Sequence, residues 1–449
     1  MKYSIPDLLA KDGFLCDCGK RHFSRLSDFV TGTGILPAAL PAMLAKYSVT
    51  HPFVLCDRDT YAAGGEKVVS ILSANGVPCT LHIIQRPHPA PDERIVGEAV
   101  MYCGGDCDGV IALGGGVIND TCKILASARH IPDIYVPTAP SMDGYASATS
   151  SMERGNLKIS LDSQCPNAVL CDADILATAP AHMVCSGIGD MAAKITSLAE
   201  WKAASYIVGD YYCPMVADMV DDALHTCLSE GEAAVRGDHA ALCRLAEGLV
   251  LSGVAMNYAG ISRPASGMEH YISHILDMRS LAFGTPADLH GIQCGIGTLY
   301  TLRGYEILFD RLGDRTPDMD KALHAAQSFD RSAWNDRLRE IVGPGAQAMI
   351  ANEDAYGFYR PEKHRARLQN IVDHWDGITA ALHAMPTSAE ITAFFQKIGH
   401  PTTAAEIGVS AADMENAFRM AKDIRPKYIL GHLLWDLGMT DEVVAEMEF

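Results

Sequence analysis

Three stretches of the chain carry ionisable side chains in settings that suit a metal ion. In Ser266-Gly-Met-Glu-His-Tyr-Ile-Ser-His-Ile-Leu-Asp277, His270 and His274 are four apart and share one face of a helix. In Ser186-Gly-Ile-Gly-Asp-Met-Ala-Ala-Lys194, Asp190 stands between glycines and an alanine-rich segment, a carboxylate with close backbone packing around it. In Asp288-Leu-His-Gly-Ile-Gln-Cys-Gly295, His290 opens a helix after Pro286. One carboxylate and two imidazoles make an open site for a catalytic divalent ion, with a coordination position left for substrate. Each piece alone has an ordinary explanation. A histidine on an apolar helix face is more often hydrogen-bonded in a core, and a Gly-Asp pair more often caps a helix. Their combination with a glycine turn upstream is what points to metal chemistry.

That turn lies in Gly109-Val-Ile-Ala-Leu-Gly-Gly-Gly-Val-Ile-Asn-Asp-Thr-Cys-Lys123. Residues 110–113 read as a buried strand, Gly114, Gly115 and Gly116 as a turn, and residues 119–128 as a helix with Asn119 as N-cap. A strand, a glycine turn and a helix start offer backbone N–H groups to a phosphate, and glycine permits close approach and positive φ. The pattern is not G-x-G-x-x-G, and a tight turn with no ligand explains the glycines equally well. A second apolar run, residues 134–136, leads into the polar loop Pro137-Thr-Ala-Pro-Ser-Met-Asp-Gly-Tyr-Ala-Ser147. Ligands of open α/β sheets sit beyond the carboxyl ends of the strands, so the two strand ends are expected to face one crevice.

The elements that must position these residues fall into two textures. Strand-like runs at 53–56, 80–84, 110–113, 134–136, 158–161 and 168–171 alternate, in the first half, with helical stretches near 37–47, 66–75 and 94–103, the pattern of a doubly wound parallel sheet. A hairpin is expected at 14–23. From residue 187 onward, long Ala-, Leu- and Met-rich segments with 3.6-residue periodicity replace them, for example 191–207, 240–256, 289–312 and 365–385. The expected organisation is a dinucleotide-binding α/β domain over 1–180 and an all-helical, metal- and substrate-binding domain over 181–449, with a cleft between them.

Composition narrows the partners. With 36 basic and 55 acidic residues the net charge is −19, which argues against nucleic acid or an anionic membrane surface as the main partner. The N-terminus lacks the apolar core of a signal peptide, and no apolar run is read as spanning a membrane. The 14 cysteines are expected to be thiols in a reducing cytoplasm. Cys16-Asp-Cys18 departs from the usual C-x₂-C zinc spacing and lacks a second such pair, so a hairpin with two incidental cysteines is the expectation there.

Taken together, the sequence resembles the sn-glycerol-1-phosphate dehydrogenases, within the superfamily of iron-type alcohol dehydrogenases, glycerol dehydrogenase and 3-dehydroquinate synthase. The bacterial AraM-like branch is the nearest likeness. Gly114-Gly-Gly-Val-Ile-Asn-Asp120, Pro137-Thr-Ala-Pro-Ser-Met-Asp-Gly144, Gly187-Ile-Gly-Asp190, Ser266-Gly-Met-Glu-His270 with His274, and His290-Gly-Ile-Gln-Cys-Gly295 carry it, over roughly residues 50–300. The tail beyond about 310 matches only in being helical. The resemblance implies a dehydroquinate synthase-like fold. It implies that Gly114, Gly115, Gly116, Val117, Ile118, Asn119 and Asp120 bind the pyrophosphate of NAD or NADP, and that Thr138, Ala139, Pro140, Ser141 and Ser147 line the nicotinamide side. Asp57 would read the adenosine ribose, an acidic residue there favouring NAD. Asp190, His270 and His290 would bind one divalent ion, Zn²⁺ first and Ni²⁺ or Fe²⁺ as alternatives. Asp143 and His274 would act at the substrate, with Lys158, Arg263 and His274 as donors to a phosphate.

The implied reaction is the NAD(P)H-linked interconversion of glycerone phosphate and sn-glycerol 1-phosphate, feeding glycerophospholipid synthesis in a cytoplasmic homodimer or higher homo-oligomer. Two other readings stay open: a polyol dehydrogenase on an unphosphorylated substrate such as glycerol, and a dehydroquinate synthase-like cyclase. The second would need more Lys and Arg around its substrate than Lys123, Lys158, Lys194 and Arg263 supply.

Overall fold

A computed structural model describes every residue except 10–12, 156 and 314. The chain divides into two compact units, Met1–Met191 with Asp218–Ile261, and Ala192–Ala217 with Ser262–Phe449. There is therefore no single dividing point near residue 180. Residues 218–261 return to the first unit because the helix His239–Ala259 packs its apolar length there, and Gly253 on it lies so close to Ala146 that a Cβ would sit 2.9 Å from the Ala146 Cβ. This helix is long and apolar enough to cross a membrane by length and composition, which the sequence reading did not anticipate; most of its apolar stretch is buried.

In chain order the strands are β1 (Phe14–Leu15), β2 (Arg21–His22), β3 (Asp28–Gly32), β4 (Pro52–Asp57), β5 (Thr80–Ile84), β6 (Gly109–Gly114), β7 (Asp133–Pro137), β8 (Thr149–Arg154), β9 (Leu157–Asp162) and β10 (Ala168–Asp172). Six of them form a parallel sheet in the order β3-β10-β7-β6-β4-β5. The inner strands β6, β7 and β10 are buried along their whole length, and β4 up to Asp57. They therefore read as unbroken apolar runs, because helices cover both faces of the sheet. On one face, Leu36, Leu40 and Leu44 of the helix Leu36–Lys46 join Val54, Ile111, Val136 and Leu170 of the strands and Leu72 of the helix Glu66–Ala74 in one core.

Two strand expectations needed revision. β3, which heads the sheet, was not anticipated: its DFVTG sequence is only partly buried and ends on glycine. The run at 158–161 belongs to β9, which pairs with β8 in a separate antiparallel hairpin; β8 alternates exposed and buried residues, as expected of a strand with one solvated face.

Beyond β10, every regular element among the described residues is helical. In the second unit the helix Met268–Phe283 packs along His290–Leu312, and Lys194–Ile207 contacts both. The segment expected as one helix at 365–385 is two, Pro361–Asp373 and Trp375–His383.

Candidate active site

In the first unit the glycine turn sits at the carboxyl end of β6. The following helix runs Gly116–Arg129 with Gly115 as N-cap, three residues earlier than expected. Asn119 is thus not a cap. It is inside the first turn, where its N–H donates to the Gly115 carbonyl (3.0 Å) and its amide group is buried without a hydrogen-bond partner. None of the three glycines has positive φ. Their use is close packing and clearance: a Cβ at Gly114 would strike Ile118 at 2.5 Å, whereas one at Gly115 would meet nothing nearer than the Met183 Cε at 4.0 Å. Gly115, Gly116 and Val117 are partly exposed, so the N–H groups that open the helix lie at the surface, where an anion can reach them. The turn fits a dinucleotide pyrophosphate.

The loop after β7 is fastened to this turn. Thr138 N–H donates to the Gly114 carbonyl (3.1 Å), and the Tyr135 hydroxyl donates to the same oxygen (3.0 Å). The Tyr145 hydroxyl donates to the Ala139 carbonyl and accepts from Ser141 N–H (3.0 Å). Thr138, Ala139, Pro140 and Ser141 are all buried. Ser147 instead donates to the Thr149 carbonyl (2.6 Å) at the start of the β8 hairpin. Asp120 is held by Lys123 (2.8 Å) and accepts from Ser151 N–H (3.2 Å), so its carboxylate serves to anchor β8. Asp57 caps the short helix after β4, accepting from Thr60 N–H (2.8 Å).

Asp143 and Asp190 meet. Asp190 is fully buried on the helix Ala181–Ala192 and accepts from the Asp143 backbone N–H (2.9 Å), while Asp143 Oδ2 accepts from Ser252 (2.8 Å). The helix can come this close because of Gly187, where a Cβ would lie 1.9 Å from the Pro140 carbonyl oxygen; next to it Ser186 donates to the Ser141 carbonyl (2.8 Å). The Ser186-Gly-Ile-Gly-Asp190 motif is therefore a docking surface for the loop, and it delivers a carboxylate there.

In the second unit His270 and His290 face each other, with ring centroids 5.1 Å apart, and His274 stacks on His290 at 5.9 Å. His270 Nδ1 lies 2.9 Å from Glu269 Oε1, and His290 Nδ1 lies 3.1 Å from the Ser273 hydroxyl. A carboxylate can only accept, so His270 carries its proton on Nδ1 and keeps a lone pair on Nε2, the form a metal requires. Burial alone would push Glu269 up, but hydrogen bonds from His270, Thr196 and the Gly267 N–H hold it below its usual range. Its neighbour Glu200 moves the other way, to about 8, through burial and the charge of Glu269. Glu200 accepts from the Met268 and Leu430 N–H groups (2.9 and 2.8 Å), and so fixes the start of the histidine-bearing helix.

The sequence reading missed two residues here. Glu269 was passed over although it adjoins His270. Cys294 follows His290 by four residues, hence on the same helical face, and its sulfur lies 3.5 Å from His290 Nε2. His270, His290 and Cys294 all bring ligand atoms within 4.8 Å of one another. Arg263, expected near a substrate phosphate, is committed elsewhere: it is buried, ion-paired to Asp210, and donates to the Tyr428 carbonyl (2.6 Å).

A parallel-sheet unit with a phosphate-ready turn, and a helical unit in which the buried His270 faces the half-buried His290, fit the class of metal- and dinucleotide-dependent alcohol dehydrogenases. Residues 30–180 match the iron-containing alcohol dehydrogenase family. The glycerol-1-phosphate dehydrogenase [NAD(P)+] of Bacillus velezensis is 34% identical over 331 residues, 73% of this chain and 83% of that protein. The one from Halalkalibacterium halodurans is 27% identical, covering 93% of this chain and 95% of the relative. A probable glycerol dehydrogenase from Sinorhizobium meliloti shares the fold, with a TM-score of 0.57 at 17% identity, covering 94% of this chain and 96% of that one. The chain belongs to the glycerol-1-phosphate dehydrogenase family.

Proposed function

We propose that the chain is an NAD(P)-dependent sn-glycerol-1-phosphate dehydrogenase that reduces glycerone phosphate to sn-glycerol 1-phosphate, supplying glycerophospholipid synthesis. The observation that carries this reading is the 34% identity to a relative of that name over 83% of its length. When bound, a nicotinamide dinucleotide would exchange hydride and a divalent ion, zinc in the first instance, would polarise the substrate oxygen.

The chain's own residues supply position and proton handling. Gly115, Gly116 and Val117 would offer N–H groups to the pyrophosphate, and the buried Thr138–Ser141 segment would form a dry wall beside the nicotinamide. Asp190 with His270 and His290 would hold the ion, and Glu269 would keep the His270 ring turned for it. Asp143, with Ser252 donating to its Oδ2, would orient a substrate hydroxyl. His274 stacks on His290 and would relay the proton gained by the substrate oxygen on reduction. Asp57 would meet the ribose through the carboxylate oxygen that does not cap its helix.

The exposed run Val100-Met101-Tyr102, which ends a surface helix, supports self-association as a homodimer or larger homo-oligomer, and the 14 cysteines kept as thiols support a cytoplasmic setting. The deciding experiment is NADH and NADPH oxidation by the metal-loaded protein with glycerone phosphate and glycerone side by side. Turnover of glycerone phosphate is the expected result, and preference for glycerone would make the chain a polyol dehydrogenase instead.

A further inference from the structure

The N-terminal hairpin brings two thiols and an imidazole to one point, far in sequence from the residues of the reaction. β1 and β2 pair with Phe14 opposite His22 and Leu15 opposite Arg21. The intervening Cys16-Asp-Cys-Gly-Lys20 turn is tight. Cys16 N–H donates to the Lys20 carbonyl and Gly19 N–H to the Cys16 carbonyl, both at 2.9 Å, and Gly19 adopts φ +84°, which glycine alone takes readily. This geometry folds Cys18 back toward the strand that carries His22. The sulfur atoms of Cys16 and Cys18 and a ring nitrogen of His22 all lie within 4.8 Å of one another.

The histidine is set up as a ligand. It is fully buried, its Nδ1 lies 2.6 Å from the Tyr258 carbonyl, and its Nε2 lies 3.4 Å from Cys18 Sγ. A carbonyl oxygen only accepts, so Nδ1 carries the proton and the Nε2 lone pair points at the thiols, as in imidazoles that bind zinc. The ring is held by a stacked Tyr258, 5.5 Å away and 11° from parallel, and by Phe14 edge-on at 5.6 Å. The Cys18–His22 distance matches the roughly 3.5 Å between sulfur and nitrogen on one tetrahedral zinc ion, given bond lengths of about 2.3 and 2.1 Å. Strands of two residues hold poorly by themselves. A metal clasp explains why this short hairpin carries so specific a set of donors.

We propose that Cys16, Cys18 and His22 bind a structural zinc ion, separate from any ion used in the reaction. Two thiolates and an imidazole fill three positions of a tetrahedron, and binding releases the two thiol protons. The ion fastens the hairpin to the end of the helix His239–Ala259 through the His22–Tyr258 contact.

The test compares the full-length chain with its Cys16→Ser/Cys18→Ser variant, both in a Cys294→Ser background that removes the thiol beside His290. Zinc per chain is measured by elemental analysis after purification without added metal. Loss of about one equivalent in the double variant is expected, together with loss of the thiolate-to-cobalt charge-transfer band once cobalt replaces zinc. Equal zinc in the two proteins, or a band that survives the double substitution, would overturn the assignment. Should the variant be insoluble, zinc-edge absorption of the Cys294→Ser chain decides: sulfur neighbours at about 2.3 Å support the site, and a shell of nitrogen and oxygen alone refutes it.

Discussion

The backbone N–H of Asp143 donates to Asp190 Oδ2 at 2.9 Å, joining the loop after β7 to the helix Ala181–Ala192. The contact draws on the peptide group, while the Asp143 carboxylate accepts from Ser252. It also separates two functions of Asp190 that substitution can resolve. Asp190→Asn keeps an acceptor for that N–H but loses the charge, whereas Asp190→Ala loses both. Asp190→Asn should therefore melt within a few degrees of the parent and still lack most of its bound catalytic metal. Asp190→Ala should lose metal and stability together. Elemental analysis beside thermal unfolding reads both, and full metal content in a folded Asp190→Asn protein would remove Asp190 from the ligand set.

The imidazoles are expected to divide by role. His270→Ala and His290→Ala should each remove most catalytic metal and activity, because an open site has only three protein ligands to lose. His274→Ala should retain metal and slow turnover. Glu269→Gln, which leaves an acceptor at His270 Nδ1 but no charge, should weaken metal binding about 10- to 100-fold. Competition titration with a chromophoric chelator measures this, and unchanged affinity would make Glu269 purely a packing residue.

Two glycines give opposite expectations. A Cβ at Gly187 has the Pro140 carbonyl oxygen 1.9 Å away, so Gly187→Ala must separate helix and loop. It should destabilise the first unit by about 1–3 kcal/mol or more and impair the Asp143–Asp190 contact. Gly115→Ala has room, with its nearest neighbour at 4.0 Å, and keeps an allowed backbone at φ −88°. It should leave stability within about 0.5 kcal/mol and, with the pyrophosphate seated on this turn as proposed, weaken dinucleotide binding, because the added methyl would stand in its approach. Calorimetric titration with NADH showing unchanged affinity would place the cofactor elsewhere.

How far the sequence disclosed this arrangement depended on the kind of signal. Buried strands were legible because both faces of β4, β6, β7 and β10 are covered, which forces continuous apolar runs. β3 was not, since an edge strand ending in glycine resembles a loop. The Gly114–Gly116 turn was located correctly, but its helix start was misplaced: Asn119 has the side chain of a cap, while the actual N-cap, Gly115, makes no side-chain hydrogen bond and so gives no such signal. Tertiary commitments were invisible. Nothing local to Arg263 announces Asp210 as its partner, and nothing near Cys16 announces that the Tyr258 carbonyl, 236 residues beyond His22, sets the histidine's tautomer.

A buried carboxyl predicts the pH dependence of stability. Asp133, at the start of β7, is buried with no hydrogen-bond partner to its oxygens, and burial raises it from near 3.8 to about 7, against the opposing charge of Lys123. The folded state therefore binds a proton that the unfolded chain releases near pH 4. The stability this proton contributes is complete below about pH 4 and is lost as pH rises through about 7, by at most about 4 kcal/mol. Asp133→Asn, which cannot ionise, should abolish that slope and raise stability at pH 8 relative to the parent. Denaturant unfolding of both proteins from pH 4 to 8 measures it, and parallel profiles would show that Asp133 does not titrate in this range.

Substrate choice is the most exposed expectation. The loop Pro137–Gly144 resembles the phosphoglycerol branch, and Asp143 there suits a hydroxyl and not a phosphate, because like charges repel. The phosphate must find its donors elsewhere. Arg263 is removed from that role by its ion pair with Asp210 and its bond to the Tyr428 carbonyl, so Arg263→Lys should lower the melting temperature without changing discrimination between substrates. Lys158 on β9 and His274 are the donors proposed for it, and on that proposal Lys158→Ala should lower kcat/KM for glycerone phosphate while leaving that for glycerone unchanged. Buried donors left unpaired by a substrate lacking phosphate cost several kcal/mol in the transition state. For the parent protein kcat/KM should therefore be about 10³-fold or more higher for glycerone phosphate than for glycerone. Equal values for the two ketones would show that no phosphate is read, and a residue-specific loss in Lys158→Ala would identify where it is.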